Sequence, residues 1–397
     1  MAKSARPPAN GFVRVMRTVY NPIGFSKGYN AILWFLTVGY IFGFTLSRLE
    51  YLSFGTVFCG VNRTPGASQT LTMGVGLHLT CSQDPEQRLG SAIIGYKILS
   101  RLVCIFRDFG KSGCTDIEYA GMKIHLFTIL PASLLVCFQF VPAIRYTFTL
   151  FHRINGHLVI VLSLVSSAGT LMVAQHAFGG ELSTQAYAGT LVVLTTVGYV
   201  MAYINIKLLQ IDQHRAWMMR TWSWFATIIT IRIIQIISTM IISRGGGFWI
   251  TWPCAQIDAV LGQSDTISAY PCCNAFYDGT NPSQRAVVAP DFGGNATEIG
   301  ASLDIPFGTA GWIALVLHTI AIELYLRLTP AESDRLRQVS YELQVAKGFK
   351  RPGYAGLVAE RFGDAYAFVP GSKVGQEFLE AGDAGGERPE IVDEERR

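Results

Sequence analysis

Charge is what this sequence has least of. Only 15% of its 397 residues are Asp, Glu, Lys or Arg, and the mean hydropathy is +0.32, too apolar for an ordinary soluble domain. Several motifs are missing as well. No Gly-rich loop cradles a phosphate, no Cys/His spacing suits zinc, and no G-x-S-x-G elbow presents a nucleophile. The commonest nucleotide, zinc and hydrolase chemistries are therefore not indicated, and no metal is expected. No basic stripe marks a nucleic-acid footprint, so nucleic acid is not an expected partner.

What is there is long apolar runs. Six recur, at roughly 31–48, 122–144, 157–177, 186–208, 217–242 and 305–328, each long enough to satisfy its own backbone in lipid as a helix. The first starts about thirty residues in and has no small-residue cleavage site after it, so it reads as a span and not a signal peptide. The stretch 91–106 is apolar but short, with Lys97 and Arg101 four apart, and reads as an interfacial helix. The expected fold is an all-α integral membrane protein. It is a six-span helical bundle with a disulfide-bearing lumenal cap and a cytosolic amphipathic helix.

The expected organisation follows. Residues 1–30 form a cytosolic segment, 49–121 and 243–304 are lumenal loops, 122–242 hold spans two to five, and 329–397 carry a cytosolic helix and a disordered tail. Residues 1–30 contain Lys3, Arg6, Arg14, Arg17 and Lys27 and no acid, which puts both termini in the cytosol. The sequons at Asn62 and Asn295 then fall outside, as candidate glycosylation sites. So do Cys59, Cys81, Cys104, Cys114, Cys254, Cys272 and Cys273. That suits an oxidising compartment, the endoplasmic reticulum or a connected endomembrane or plasma membrane. Cys137 lies in a span. Spacing leaves the disulfide pairing open. After the last span, Thr329, Pro330 and Glu332 read as a capping box, Leu336, Val339 and Leu343 as one apolar face, and Gly348 as the stop.

The chemistry-bearing candidates are polar groups inside these runs. Residues 226–237, ATIITIRIIQII, place Arg232 and Gln235 among apolar neighbours. At 1.5 Å per residue from Trp217, Arg232 stands about 22 Å along its helix, past the middle of a layer of roughly 30 Å. Arg232, Gln235 and Thr239 share a face, which a structural pairing or a wet cavity would explain. Glu323 in the sixth span is a candidate proton donor or a partner for Arg220. Asp212, His214, Arg215 and Arg220 crowd one helix end, where arginines can hold an anion and histidine can relay protons. A positive-inside anchor explains the arginines equally, and an aromatic belt explains Trp217, Trp222 and Trp224. His125, His157, His176 and His318 lie in or beside spans. Facing pairs of such histidines ligate haem b, while satisfied polar residues are the simpler account.

FHRINGHLVIVLSLVSSAG (151–169) and IDQHRAWMMRTWSWFATIITIRIIQ (211–235) resemble a large family of bacterial and fungal multi-pass proteins labelled only as a domain of unknown function. The family's HR-x-x-G start falls on His152, Arg153 and Gly156. Its HR-x-W-M-x-R falls on His214, Arg215, Trp217, Met218 and Arg220, and its later T-x-R on Thr230 and Arg232. The similarity covers about 120–245, and LYLRLTPAESDRLRQVSYE after the last span is similar to the fungal branch. Looser similarities run to the integral membrane terpene cyclases of fungal meroterpenoid pathways and to six-helix cytochrome b reductases. The first implies a cofactor-free enzyme that cyclises a lipophilic prenylated substrate by proton donation. Glu323 or Asp212 would be the acid and His214 the relay, while Arg215, Arg220, Arg232, His318 and Trp217 would bind substrate. The second implies haem-borne electron transfer. A non-catalytic transporter is a third expectation.

Overall fold

A computed structural model describes residues 11–25, 28–52, 70–73, 77–80, 116–175, 177–363 and 368–371. The expectations for Asn62, for Cys59, Cys81, Cys104 and Cys114, for helix 91–106, for His176 and for the tail after 371 lie outside them.

In chain order the elements begin with α1 (Gly11–Tyr20), α2 (Gly28–Leu46) and an antiparallel pair, β1 (Thr70–Met73) and β2 (Leu77–Thr80). Helices α3 (Asp116–Gln139), α4 (Pro142–Thr147), α5 (Thr149–Val173) and α6 (Leu182–Lys207) follow, then α7 (Ile211–Phe225) and α8 (Thr227–Gly245). A cap holds β3 (Ile250–Pro253), α9 (Cys254–Leu261), α10 (Gln263–Ala269), α11 (Asn274–Tyr277) and β4 (Arg285–Val288). The chain ends in α12 (Ala296–Leu328) and α13 (Pro330–Ala346). Among the described residues, six helical stretches are long and apolar enough to cross a membrane: α2, α3, α5, α6, α7 with α8, and α12. The protein is an all-α six-span bundle.

The chain forms two compact units, one of Met1–Thr196 and Trp222–Ile320, the other of Val197–Thr221 and Ala321–Arg397. In the first unit α3 and α5 cross at two glycines. A Cβ on Gly169 would stand 2.6 Å from the Gly121 carbonyl oxygen and 2.7 Å from the His125 nitrogen, so only a bare backbone permits the approach. On the outside, Ile233, Ile236, Ile237 and Ile241 of α8 and Val316, Leu317 and Ile320 of α12 are exposed. This is the apolar patch that a membrane covers.

The fifth apolar run, predicted as one span over 217–242, is one candidate span, its helix interrupted at Ala226 between α7 and α8. The Thr227 hydroxyl donates to the Trp224 carbonyl at 2.6 Å. That bond competes with the regular ladder and marks the join.

Helix α12 starts nine residues before its apolar run, at Ala296. Asn295 Oδ1 accepts from the Thr297 and Glu298 amides, and Glu298 Oε2 accepts from the Asn295 amide at 2.7 Å. This reciprocal cap lets the helix form over polar sequence. It uses Oδ1 and not Nδ2, the nitrogen that a glycan would take. Asp304, counted from sequence with the outer loop, therefore lies inside α12. Pro306 sits in this helix without an amide hydrogen. The Ser302 carbonyl, four residues earlier, instead accepts the Thr239 hydroxyl at 2.7 Å.

The cap packs Ile250, Trp252, Ile257 and Val288 round the Cys254–Cys273 disulfide, with Ala301 beneath. Strand β3 pairs antiparallel with β4, Ile250 opposite Val288. Tyr277 donates to Asp258 at 2.7 Å. Burial, together with the Asp258 carboxylate beside it, pushes its phenol up to about 12. Cys272 is exposed and Cys137 buried, both as free thiols.

The second unit overturns two local expectations. Thr329 does not cap α13. Its hydroxyl donates to the Tyr325 carbonyl, and Glu332 pairs with Arg335 instead of reaching back. The buried face of α13 is Leu336, Arg337, Ser340 and Gln344, while Leu343 is 40% exposed. Polar groups win that face because each finds a partner there, as set out below. Gly348 does stop the helix. It takes φ 71°, and the Phe349 amide reaches the Gln344 carbonyl at 3.0 Å, as a helix-ending glycine allows.

The disulfide closes a separation of 19 residues, for which chain entropy allows about 3 kcal/mol. Cys254→Ser should therefore speed amide exchange across β3 and β4. Cys272→Ser should leave it within the range of a neutral surface change. Equal exchange in both variants would show that the disulfide does not hold the cap.

Candidate functional site

In the second unit the HR-x-W-M-x-R residues build a frame of satisfied charges. Arg220 meets Glu323 through two parallel bonds, Nε to Oε1 at 2.5 Å and a terminal nitrogen to Oε2 at 3.0 Å, the geometry that fits guanidinium to carboxylate. The Trp217 ring lies under Arg220 at 5.0 Å, and Tyr325 under Arg215 at 5.9 Å. His214 donates through Nδ1 to the Ala202 carbonyl at 2.9 Å.

Asp212 is buried deeper. It accepts from Gln210 at 2.6 Å, Gln213 at 3.1 Å and Ser340 at 3.3 Å, with Arg337 at 3.8 Å. Arg337 also donates to the Gly353 carbonyl and to Glu360. Gln344 donates to Gln210 and to the Leu208 carbonyl and accepts the Gly353 amide, while Asn205 Oδ1 accepts the Leu357 amide. Buried charge is tolerated when each group is paired in this way. Glu323 and Asp212, the two acids expected to donate protons, are thus engaged as hydrogen-bond acceptors.

The first unit holds a different constellation. Phe178 and Phe307 stack at 3.6 Å with planes 6° apart, and Arg232 lies over both rings, at 5.3 and 5.6 Å. Phe178 has φ 50°, a left-handed conformation that costs a bulky residue about 1–3 kcal/mol and collects at functional sites. Arg232 donates to Gln235 Oε1 at 3.0 Å, and Gln235 Nε2 donates to the Leu303 carbonyl at 2.8 Å. Tyr187 is buried, its hydroxyl 2.8 Å from Thr227. The Thr227 hydroxyl is already donating to Trp224, so Tyr187 is the donor.

Helix α6 reaches this cluster because α12 offers it glycines. A Cβ on Gly308 would collide with the Ser183 hydroxyl, and one on Gly311 would stand 2.7 Å from the Tyr187 ring. Asp304, one turn before Gly308, is 1% exposed. Neither of its carboxyl oxygens has a hydrogen-bond partner. Glu181, in the segment leading into α6, accepts from Ser183 at 3.3 Å. Burial pushes its carboxyl above the ordinary carboxylate range, and the Ser183 bond partly offsets this. Asp304, Glu181, Tyr187, Phe178 and Phe307 were not singled out from sequence. The available signal was the 304, 308, 311 spacing, one acid above two glycines on a helical face.

His125, His157 and His318 are hydrogen-bonded within the fold. His318 donates through Nδ1 to the Ser223 carbonyl at 2.6 Å and meets Thr230 with Nε2 at 2.7 Å. His125 Nδ1 meets Ser166 at 2.8 Å and Thr170 at 2.9 Å. His157 donates to the Arg153 carbonyl of its own helix at 2.7 Å. Among the described residues, no group of three or more His, Cys, Asp or Glu is arranged to hold a metal ion.

Comparison with known proteins agrees with a multi-pass membrane chain. A family model described as "Predicted membrane protein (DUF2306)" matches residues 122–253. "Ava biosynthesis cluster protein G" of Aspergillus versicolor is 26% identical over 358 residues, covering 82% of this chain and 96% of its own. No solved structure matches.

Removing Arg337 should take the cation away from buried Asp212 and half-buried Glu360. Arg337→Ala is expected to destabilise the second unit by about 3–5 kcal/mol, read as a lower unfolding midpoint in detergent. Leu343→Ala, on the exposed side of the same helix, should stay within about 0.5 kcal/mol. A larger loss from Leu343→Ala than from Arg337→Ala would contradict the polar face.

Proposed function

We propose that this chain is an integral membrane enzyme of a secondary-metabolite pathway. In this reading it cyclises or rearranges a lipophilic, prenyl-type substrate by donating a proton from Asp304. One observation carries it: Asp304 is buried in a spanning helix with both carboxyl oxygens unpartnered. A carboxyl in such a place is stable as the neutral acid, which is the form a proton donor needs. Glu323 and Asp212 are less suited, because Arg220 and three donors respectively hold their oxygens.

The neighbouring groups support the same chemistry. Once Asp304 has given its proton to an alkene or an epoxide oxygen, the cation closes a ring and loses a proton to water. Arg232, over the rings of Phe178 and Phe307, supplies a fixed positive charge that favours a polar head on the substrate. Tyr187 and the Phe178–Phe307 pair give the surroundings an aromatic, water-poor character. No cofactor enters this step. The name of the Aspergillus versicolor relative supports placing the chain in a biosynthetic cluster. The prenyl substrate class comes from the resemblance to membrane terpene cyclases.

The test uses membranes expressing the full chain, supplied with prenylated phenols and their epoxides, with products resolved by mass spectrometry. Asp304→Asn should lower cyclised product by a factor of about 100 or more, the usual contribution of a general acid. Glu323→Gln should keep turnover in the protein that folds. Unchanged turnover in Asp304→Asn removes the donor. Passage of substrate across the membrane without chemical change would replace the enzyme with a transporter.

A further inference from the structure

Helix α1 turns an apolar stripe outward. Phe12, Val15 and Val19 are 73%, 64% and 59% exposed. At helical spacing these three share one face, with Arg14 on the other side. Contacts within the first unit fix the position of the helix. The Tyr20 ring at its end lies where a Cβ on Gly28 would touch it, at 3.6 Å. Phe25 meets Trp34 of α2 at 5.8 Å. The Ala143 amide of α4 donates to the Ile23 carbonyl at 3.0 Å. Gly24 permits that approach, since it takes φ 94° and a Cβ there would stand 2.6 Å from the Ala143 nitrogen. The join of α4 and α5 therefore lies at the same end of the unit as α1, and it too exposes large apolar groups, Tyr146, Phe148 and Leu150. The patch adjoins α2, a spanning helix whose Phe35 and Leu36 are exposed to lipid. Its charge has one sign. Residues 11–25 and 139–157 hold Arg14, Arg17, Arg145 and Arg153 and no acid. Arg145 lies over the Tyr146 ring at 4.9 Å, and Arg14 and Arg153 are exposed.

We propose that α1 and the join of α4 and α5 form an interfacial surface that binds anionic phospholipid. Helix α1 lies in the plane of the bilayer surface, its stripe among the upper acyl chains and its arginines at the phosphates. An apolar stripe edged by arginine fits that layer, which is greasy below and negative above. A second copy of the chain fits it less well, because a symmetric contact would set arginine against arginine. The lipid role stands apart from the chemistry given to Asp304.

The test places the purified full chain in nanodiscs of mixed phosphatidylcholine and phosphatidylglycerol. In each sample one of the two lipids carries a photoactivatable group near the glycerol end of an acyl chain. After illumination, peptide mass spectrometry should find lipid adducts on α1 and on the join of α4 and α5. Relative to lipid content, phosphatidylglycerol should label them about fivefold more than phosphatidylcholine, or better. Added salt should shrink that preference, because these charges face water. Arg14→Gln combined with Arg153→Gln should reduce it by a similar factor. Val15→Asn should lower labelling of α1 by both lipids, since the stripe then carries a polar group. Absence of adducts on α1 in the wild type overturns the proposal, and so does equal labelling by the two lipids. Cross-links between the α1 helices of two copies, in place of lipid adducts, would give the surface to a second copy and overturn it as well.

Discussion

A proline decides where the polar face of the first unit docks. Pro306 leaves the Ser302 carbonyl of α12 without an amide, and in a membrane a bare carbonyl costs several kcal/mol. Thr239 supplies the missing donor, and Gln235, one turn away, takes the next carbonyl at Leu303. These two bonds set the height of α8 against α12. They place Arg232 over Phe178 and Phe307 and present Gln235 Oε1 to its guanidinium. The arginine within the isoleucine run is thus part of an interhelical joint. Its depth follows from the position of a proline seventy-four residues later in the chain.

The second unit solves a different problem. Its helix α13 stands outside the spanning set, yet three of its four buried positions are an arginine, a serine and a glutamine. The polar groups of Asp212, Gln210 and Asn205 meet them. A network of this kind offers little net stability over an apolar face but demands one register, because any slip leaves a buried charge alone. The HR-x-W-M-x-R residues nearby are held likewise, by Glu323, Trp217, Tyr325 and the Ala202 carbonyl. Their geometry accounts for the motif as a framework, apart from any part in chemistry.

Much of the fold was legible because lipid imposes a strong, one-dimensional code. Runs such as 31–48 and 157–177 have no soluble alternative, and a disulfide-bearing cap is readable from cysteines such as Cys254 and Cys273. The site was less legible for a matching reason. A hydropathy window that starts after Asp304 assigns that residue to a loop, while the cap at Asn295 that extends the helix over it is a short polar pattern of low specificity. Asn295-x-x-Glu298 and Thr329-x-x-Glu332 look alike in sequence. The first forms a capping box, whereas at the second the Tyr325 carbonyl and Arg335 take the two side chains. Apolar spacing alone points to the wrong face of α13, because the partners of Arg337 and Gln344 lie more than a hundred residues away, at Asp212 and Gln210. Glu181 and Tyr187 become site residues only through Gly308 and Gly311, whose meaning depends on which helix they meet.

We propose as the working acid of this protein the buried, unpartnered Asp304. A hydrophobic carbodiimide tests it without a substrate, since such reagents modify protonated carboxyls in apolar surroundings and spare paired carboxylates. After treatment of the protein in native membranes, peptide mass spectrometry should find the adduct on Asp304 and leave Glu323 and Asp212 unmodified. An adduct on Glu323 or Asp212, with Asp304 untouched, would contradict the claim and return the chemistry to the other unit.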